Sequence, residues 1–199
     1  MSVLLDVKEY EDPAIKICPN STEGEIVELS GLLICLPKRP PKKEIFGYKD
    51  ANSVQMWRRI SMPKELSRIR SMDEWEEMPR EFRARFRPYI EEEFRRRREG
   101  FWFYNNGTPT YITGRHYMML QWTKLDIGYP YFLNFQKDIF THLAACEVDP
   151  RCIGQLYTKC RRSGYTNMCS AVLVDEGTQV KEKLLGIQSK TGKDAQENI

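Results

Sequence analysis

The sequence predicts an α/β fold: a mainly helical N-terminal region with a β-hairpin, then the start of a parallel sheet entered through a phosphate-binding loop. Three observations carry that expectation. Apolar side chains recur at three- and four-residue spacing, as in Trp75, Met78, Phe82 and Phe86, the mark of a helix with one buried face. Two β-prone runs flank Asn105, Asn106 and Gly107 in FWFYNNGTPTYITG, residues that tolerate positive φ and so predict a hairpin. A buried-strand run, Ile153 to Thr158, leads through KCRRSGYT (Lys159 to Thr166) into a helix over Thr166 to about Glu176 and a second strand, Leu184 to Ser189. Strand, loop, helix, strand is how a parallel sheet opens.

The composition bounds the function classes. A chain of 199 residues with 41% apolar and 12% aromatic content can bury a real core, as one medium domain or a small one with an incomplete second. The net charge of only +3 argues against a protein that coats nucleic acid over its whole surface. With no run of about 18 apolar residues and an acidic start, MSVLLDVKEYEDP, the chain is expected to be soluble and not secreted. The cysteines Cys18, Cys35, Cys146, Cys152, Cys160 and Cys169 lack the spacing of a zinc site, and reduced thiols are expected.

In chain order, residues 1 to about 48 alternate turn signals with one apolar run, Ile26 to Leu36, and end in PKRPPKKE, which reads as an extended, solvated connector. A short helix is expected from Asn52 to Arg59, anchored by Met56 and Trp57, with Pro63 stopping it or starting the next element. Pro88 is expected to break or restart the following helix. From Tyr89 to Glu99, acids precede bases, and Glu91 with Arg95, Glu92 with Arg96 and Glu93 with Arg97 have the four-residue spacing of helical ion pairs. A self-neutralising helix face thus explains the arginine run without DNA. After the hairpin, Gly114 opens a helix through Tyr117, Met118, Gln121 and Trp122. Gly128 and Pro130 mark a loop, and Phe135, Ile139, Phe140, Leu143 and Ala144 form another helix ending near Asp149.

The loop carries the chemistry. In the usual phosphate loop, G-x-x-x-x-G-K-[ST], backbone N–H groups wrap the phosphates, a lysine reaches the terminal ones and a hydroxyl holds magnesium. Gly164 and Thr166 keep the last glycine and the hydroxyl, while Tyr165 stands where the lysine normally does. Lys159, at the front, with Arg161 and Arg162, supplies the positive charge. A basic surface turn before a helix is the alternative. Upstream, Gln136 opens a helix, and its amide can offer adenine both a donor and an acceptor. Taken alone it reads as a polar residue at a helix start.

Together the glutamine helix, the K-x-R-R-x-G-Y-T loop, YITGRHY and GIQSKTGKDA resemble the N-terminal part of a tailed-bacteriophage terminase large subunit, with GFWFYNNG and YITGRHY closest to crAss-like phage terminases. The resemblance is good over about residues 100 to 199 and loose over the first ~60. It implies a partial P-loop NTPase of the RecA/ASCE-like kind over 101–199, preceded by a region 1–100 that is mostly helical with an extended linker. It further implies ATP and Mg2+ as cofactors, with Lys159 on the β and γ phosphates, Thr166 on magnesium, Gln136 on adenine and Arg161 or Arg162 stabilising the γ-phosphate. The implied partners are double-stranded DNA, the portal protein and the small terminase subunit, in a ring of copies in the host cytoplasm.

Two look-alikes are set aside. Val172-Leu173-Val174-Asp175-Glu176 resembles an acidic magnesium-holding strand but falls inside the helix that must follow the loop. Gly186 to Lys193 fails the loop spacing. The later acidic strand and a nuclease domain are therefore expected outside this sequence, making it a fragment or split-gene product that hydrolyses ATP negligibly. The competing expectation is a non-catalytic phage module that binds DNA or a partner; a helicase is the third.

Overall fold

The computed structural model describes residues 5–6, 25–29, 32–36, 39–42, 45–47, 49, 57–125, 128–148, 152, 155–158, 163–179, 182 and 184–186. The chain is mixed α/β. Strands β1 (Leu5–Asp6), β2 (Glu25–Leu29) and β3 (Leu32–Leu36) form an antiparallel meander. Helices α1 (Met72–Glu77) and α2 (Arg80–Glu99) precede the hairpin β4 (Phe101–Asn105) and β5 (Thr108–Ile112). Then come α3 (Gly114–Trp122), α4 (Asn134–Val148) and α5 (Tyr165–Gln179). Both sheets are antiparallel, so the described residues contain no parallel sheet.

Local chemistry explains the boundaries. Ser71 accepts a hydrogen bond from Glu74 N–H while Glu74 Oε2 accepts from Arg70 N–H at 2.8 Å, a reciprocal cap that starts α1. The helix stops at Met78, which adopts ψ 144° ahead of Pro79. The break expected at Pro88 therefore falls nine residues earlier in the chain, and α2 runs straight through Pro88. Pro88 and Ala84, whose carbonyl loses its partner, both lie on the exposed face, where water can serve that carbonyl. Gly100 ends α2 at φ +84°, and any Cβ there would collide with Tyr111 and the Ile112 carbonyl. Asn106 at φ +48° and Gly107 at φ +73° make the tight turn predicted for the hairpin.

The core centres on Trp57, whose ring meets Phe101, Phe103 and Tyr117 edge-on at 6.0, 5.4 and 5.9 Å. Its Nε1–H donates to the Leu120 carbonyl at 3.3 Å. Residues 57–59 are not helical as expected, and 52–56 lie outside the described residues. The reason is Gln121: its Oε1 accepts from Ile60 N–H at 2.9 Å and its Nε2 donates to the Ile60 carbonyl at 2.8 Å. A side-chain amide thus takes the part of a neighbouring strand and favours extended backbone. The connector is likewise docked where it is described: the Pro40 carbonyl accepts from Trp102 Nε1 at 2.8 Å, and Arg39 and Lys42 stand over the Trp102 ring at 5.3 and 4.6 Å.

Helix α3 is the spine. Its N-terminal Arg115 binds Glu147 at the end of α4 and Asp175 and Glu176 at the end of α5. One turn on, Met119 meets Phe140 of α4 and Met168 and Ala171 of α5 in a second cluster. Both α4 and α5 thus run antiparallel to α3, and their N-termini lie toward its C-terminal end. Burying each such apolar side chain contributes on the order of 1.5–3 kcal/mol. No described helix is long and apolar enough to cross a membrane.

Candidate functional site

Of the expected loop, the structure describes Ser163 and Gly164 and the helix α5 that follows them. Gly164 has φ +73° and, among the described residues beyond its chain neighbours, no atom lies within 4 Å of where a Cβ would stand. The first intrahelical bond runs from Met168 N–H to the Gly164 carbonyl at 3.2 Å, leaving the N–H groups of Tyr165, Thr166 and Asn167 ahead of the ladder. Gly164 has no side chain to cap them, and Ser163 Oγ makes no hydrogen bond. Among the described residues no side chain caps these donors, and N–H groups at the positive end of a 15-residue helix attract anions. Thr166 is exposed there. Tyr165 instead packs inward against Tyr157 at 5.3 Å, and burial pushes its hydroxyl up to about 12.

Lys159, Arg161 and Arg162 lie outside the described residues, as do Ile153 and Gly154 of the expected first strand. Gln155 to Thr158, the remainder of that strand, joins no ladder. It runs along α4, where Gln155 Nε2 is 2.7 Å from His142 Nδ1 and Tyr157 meets His142 edge-on. Of the expected second strand, residues 184–186 are unpaired and 187–189 lie outside the described residues. A strand needs a hydrogen-bonded neighbour, and neither described piece has the other beside it.

Gln136 sits in the first turn of α4 as the sequence suggests, but it is only 6% exposed and its Oε1 has no hydrogen-bond partner. Because α4 and α5 both oppose α3, Gln136 and the open turn of α5 occupy the same end of the helical layer. An unpaired buried amide oxygen costs roughly 1–3 kcal/mol.

Sequence reasoning missed His116. Its ring is fully buried, lies nearly parallel to Phe140 at 4.8 Å and Phe132 at 5.6 Å, and has no partner at either nitrogen. Burial pushes its pKa down to about 3, with the Lys137 charge adding to the effect. Nothing in YITGRHY distinguishes it from a surface histidine.

The arginine run is also partnered differently from the simple four-residue scheme. Glu92 with Arg96 forms as expected at 2.9 Å, but Glu91 binds Arg87, and Arg95 takes Glu92 and Glu99. Glu93 is buried and binds Arg96 at 2.5 Å and the Tyr117 hydroxyl at 2.7 Å. Arg97 leaves the helix surface and joins Asp175. Asp175, fully buried in α5 between Arg97 and Arg115, is a structural anion within a helix. No three His, Cys, Asp or Glu side chains gather as a metal site among the described residues.

The fold and this end of it define a mixed α/β protein with an open helix N-terminus. No family model matches the chain, and neither a curated protein nor a solved structure matches it.

Proposed function

We propose that the chain is the nucleotide-binding N-terminal part of a terminase large subunit, the ATP-driven motor that packages double-stranded DNA. ATP lies across the end of α3, its phosphates on the N-terminus of α5 with Lys159 and Arg161 or Arg162, Mg2+ by Thr166 and adenine toward Gln136. A parallel P-loop sheet, a ring of copies in the host cytoplasm, the portal protein and the small terminase subunit belong to the same reading. The observation that supports it most is the first turn of α5 behind Gly164, which has no cap among the described residues, at the same end as a buried glutamine whose Oε1 lacks a partner. Asp175 is committed to two arginines, so turnover does not run through it.

The test is binding of a fluorescent ATP analogue with magnesium, comparing wild type with Lys159→Ala. We expect affinity to fall at least about tenfold, the loss of one charge-assisted phosphate contact. Equal binding by the two proteins, or affinity that tracks salt concentration and ignores magnesium, would overturn the assignment in favour of a basic DNA-binding module.

A further inference from the structure

We propose that the groove between α2 and the chain leading into α1 binds a medium-chain aliphatic carboxylate. It shares no residue with the nucleotide site and does not depend on that reading.

One wall of the groove is the stripe of α2 from Tyr89 to Arg97, where Ile90 and Phe94 stand four residues apart on one helix face. Leu66, Met72 and Trp75 supply much of the remaining lining. The groove holds about 660 Å³, within the range of small-molecule pockets, and its lining is mostly apolar, as theirs is. Met72 and Phe94 are 67% and 40% exposed, so its mouth opens to solvent.

Size selects a small ligand over a protein. The α2 stripe covers about 12 Å of helix, whereas a stable protein partner buries about 800 Å² on each side. Met62 and Met72, unbranched and adaptable, suit a flexible aliphatic chain lying against them.

Charge selects the head group. Three charged residues line the groove, and two are committed: Glu93 to Arg96 and the Tyr117 hydroxyl, Arg97 to Asp175. The third, Arg70, is exposed, and its guanidinium makes no ion pair among the described residues, since only its backbone N–H is engaged, by Glu74. The groove therefore offers one uncommitted cation and no uncommitted carboxylate. Tyr89 Oη and Trp122 Nε1, on residues of the same lining, also lack partners, and burial pushes the Tyr89 pKa up so that its hydroxyl keeps its proton. The spare polar groups of this lining thus all carry hydrogens. A carboxylate on an apolar chain complements them, with its head on Arg70 and its chain along Ile90 and Phe94. An alkylammonium would meet Arg70 with like charge.

Calorimetric titration of the full chain with decanoate, kept below its micelle concentration, tests this. Wild type should bind one decanoate per chain. Arg70→Gln should weaken that binding about tenfold, the loss of one charge-assisted contact, and leave binding of decanol unchanged. Met72→Glu, at an exposed position, should abolish decanoate binding without lowering Tm. No saturable binding by wild type, uptake of many decanoates per chain, or equal affinity for decylammonium would overturn the proposal. Binding that Arg70→Gln leaves at wild-type strength would overturn it as well, by placing the carboxylate elsewhere.

Discussion

Arg97 in α2 grips Asp175 in α5 with two nitrogens, Nη2 to Oδ1 at 2.7 Å and Nε to Oδ1 at 2.9 Å, across 78 residues of sequence. Its Nη2 also reaches Thr178 Oγ1, and Arg115 takes the second carboxylate oxygen, Oδ2, at 3.3 Å. The carboxylate is fully buried, so this cluster fastens α2, α3 and α5 together at the end of the layer away from Gly164. A buried carboxylate with two guanidinium partners has no free face for a metal ion. Of the acidic look-alike, Asp175 thus lies within α5 and is held by two arginines.

Asp175→Asn should therefore damage stability and spare binding. Removing the carboxylate leaves Arg97 uncompensated, while Arg115 keeps Glu147 and Glu176, and breaking such a buried pair costs about 3–5 kcal/mol. Urea unfolding should show a lower midpoint with unchanged slope, while affinity for the ATP analogue in the folded protein stays within about twofold of wild type. A large loss of affinity with stability intact would show that Asp175 belongs to the site.

Gly114 should be as intolerant for a steric reason. A Cβ at this first residue of α3 would collide with the Arg97 carbonyl, since α3 begins against the backbone of α2. Because the collision is with backbone, no side-chain rotation relieves it. Gly114→Ala should lower stability by about 1–3 kcal/mol, the usual cost of overpacking. Thermal unfolding measures it, and a neutral result would mean that α2 and α3 can part without penalty.

How much of this could be read from the sequence depends on the range of the interactions. The hairpin was legible because Asn106 and Gly107 determine their own turn, and α3, α4 and α5 because their apolar spacing is local. The position of Gly164 and Thr166 at a helix start was legible for the same reason. What was not legible is set by partners far along the chain. Arg97 has an acid at helical spacing, Glu93, yet Glu93 is taken by Arg96 and Tyr117, and Arg97 goes to Asp175. Asn52 to Arg59 reads as helix, yet the described part, Trp57 to Arg59, is not helical beside the Ile60 backbone that Gln121 claims. The position of Gln136 could be read, but its burial could not, since burial depends on which distant parts of the chain pack over a residue.

Pro88 should be dispensable. It sits within the 20-residue α2 on an exposed face and deprives the Ala84 carbonyl of its helical donor. Pro88→Ala restores that bond and relieves the ring's clash, for a gain approaching about 3 kcal/mol less what the proline contributes by restricting the unfolded chain. A rise in Tm with unchanged helical circular dichroism is the expected outcome. A fall would show that a bend at Pro88 is needed to bring Arg97 to Asp175.

His116 should make the protein acid-sensitive. Its pKa in the folded state is about 3 against an ordinary 6.5, because a charged imidazolium cannot be solvated between Phe132 and Phe140. The unfolded chain binds a proton below pH 6.5 that the folded chain refuses until about pH 3. Full stability is therefore present above pH 6.5 and falls as pH drops through the window down to about 3, by about 1.4 kcal/mol per pH unit at most. Between pH 7 and pH 5 the loss from this residue approaches about 2 kcal/mol, readable as a shift in the urea midpoint. His116→Phe keeps a flat aromatic ring in the stack and has nothing to protonate. It should flatten the pH dependence over this range and, by removing two unpaired buried nitrogens, raise stability at pH 7 as well. An unchanged pH slope in this variant would mean that His116 is already protonated, or already partnered, in the folded protein.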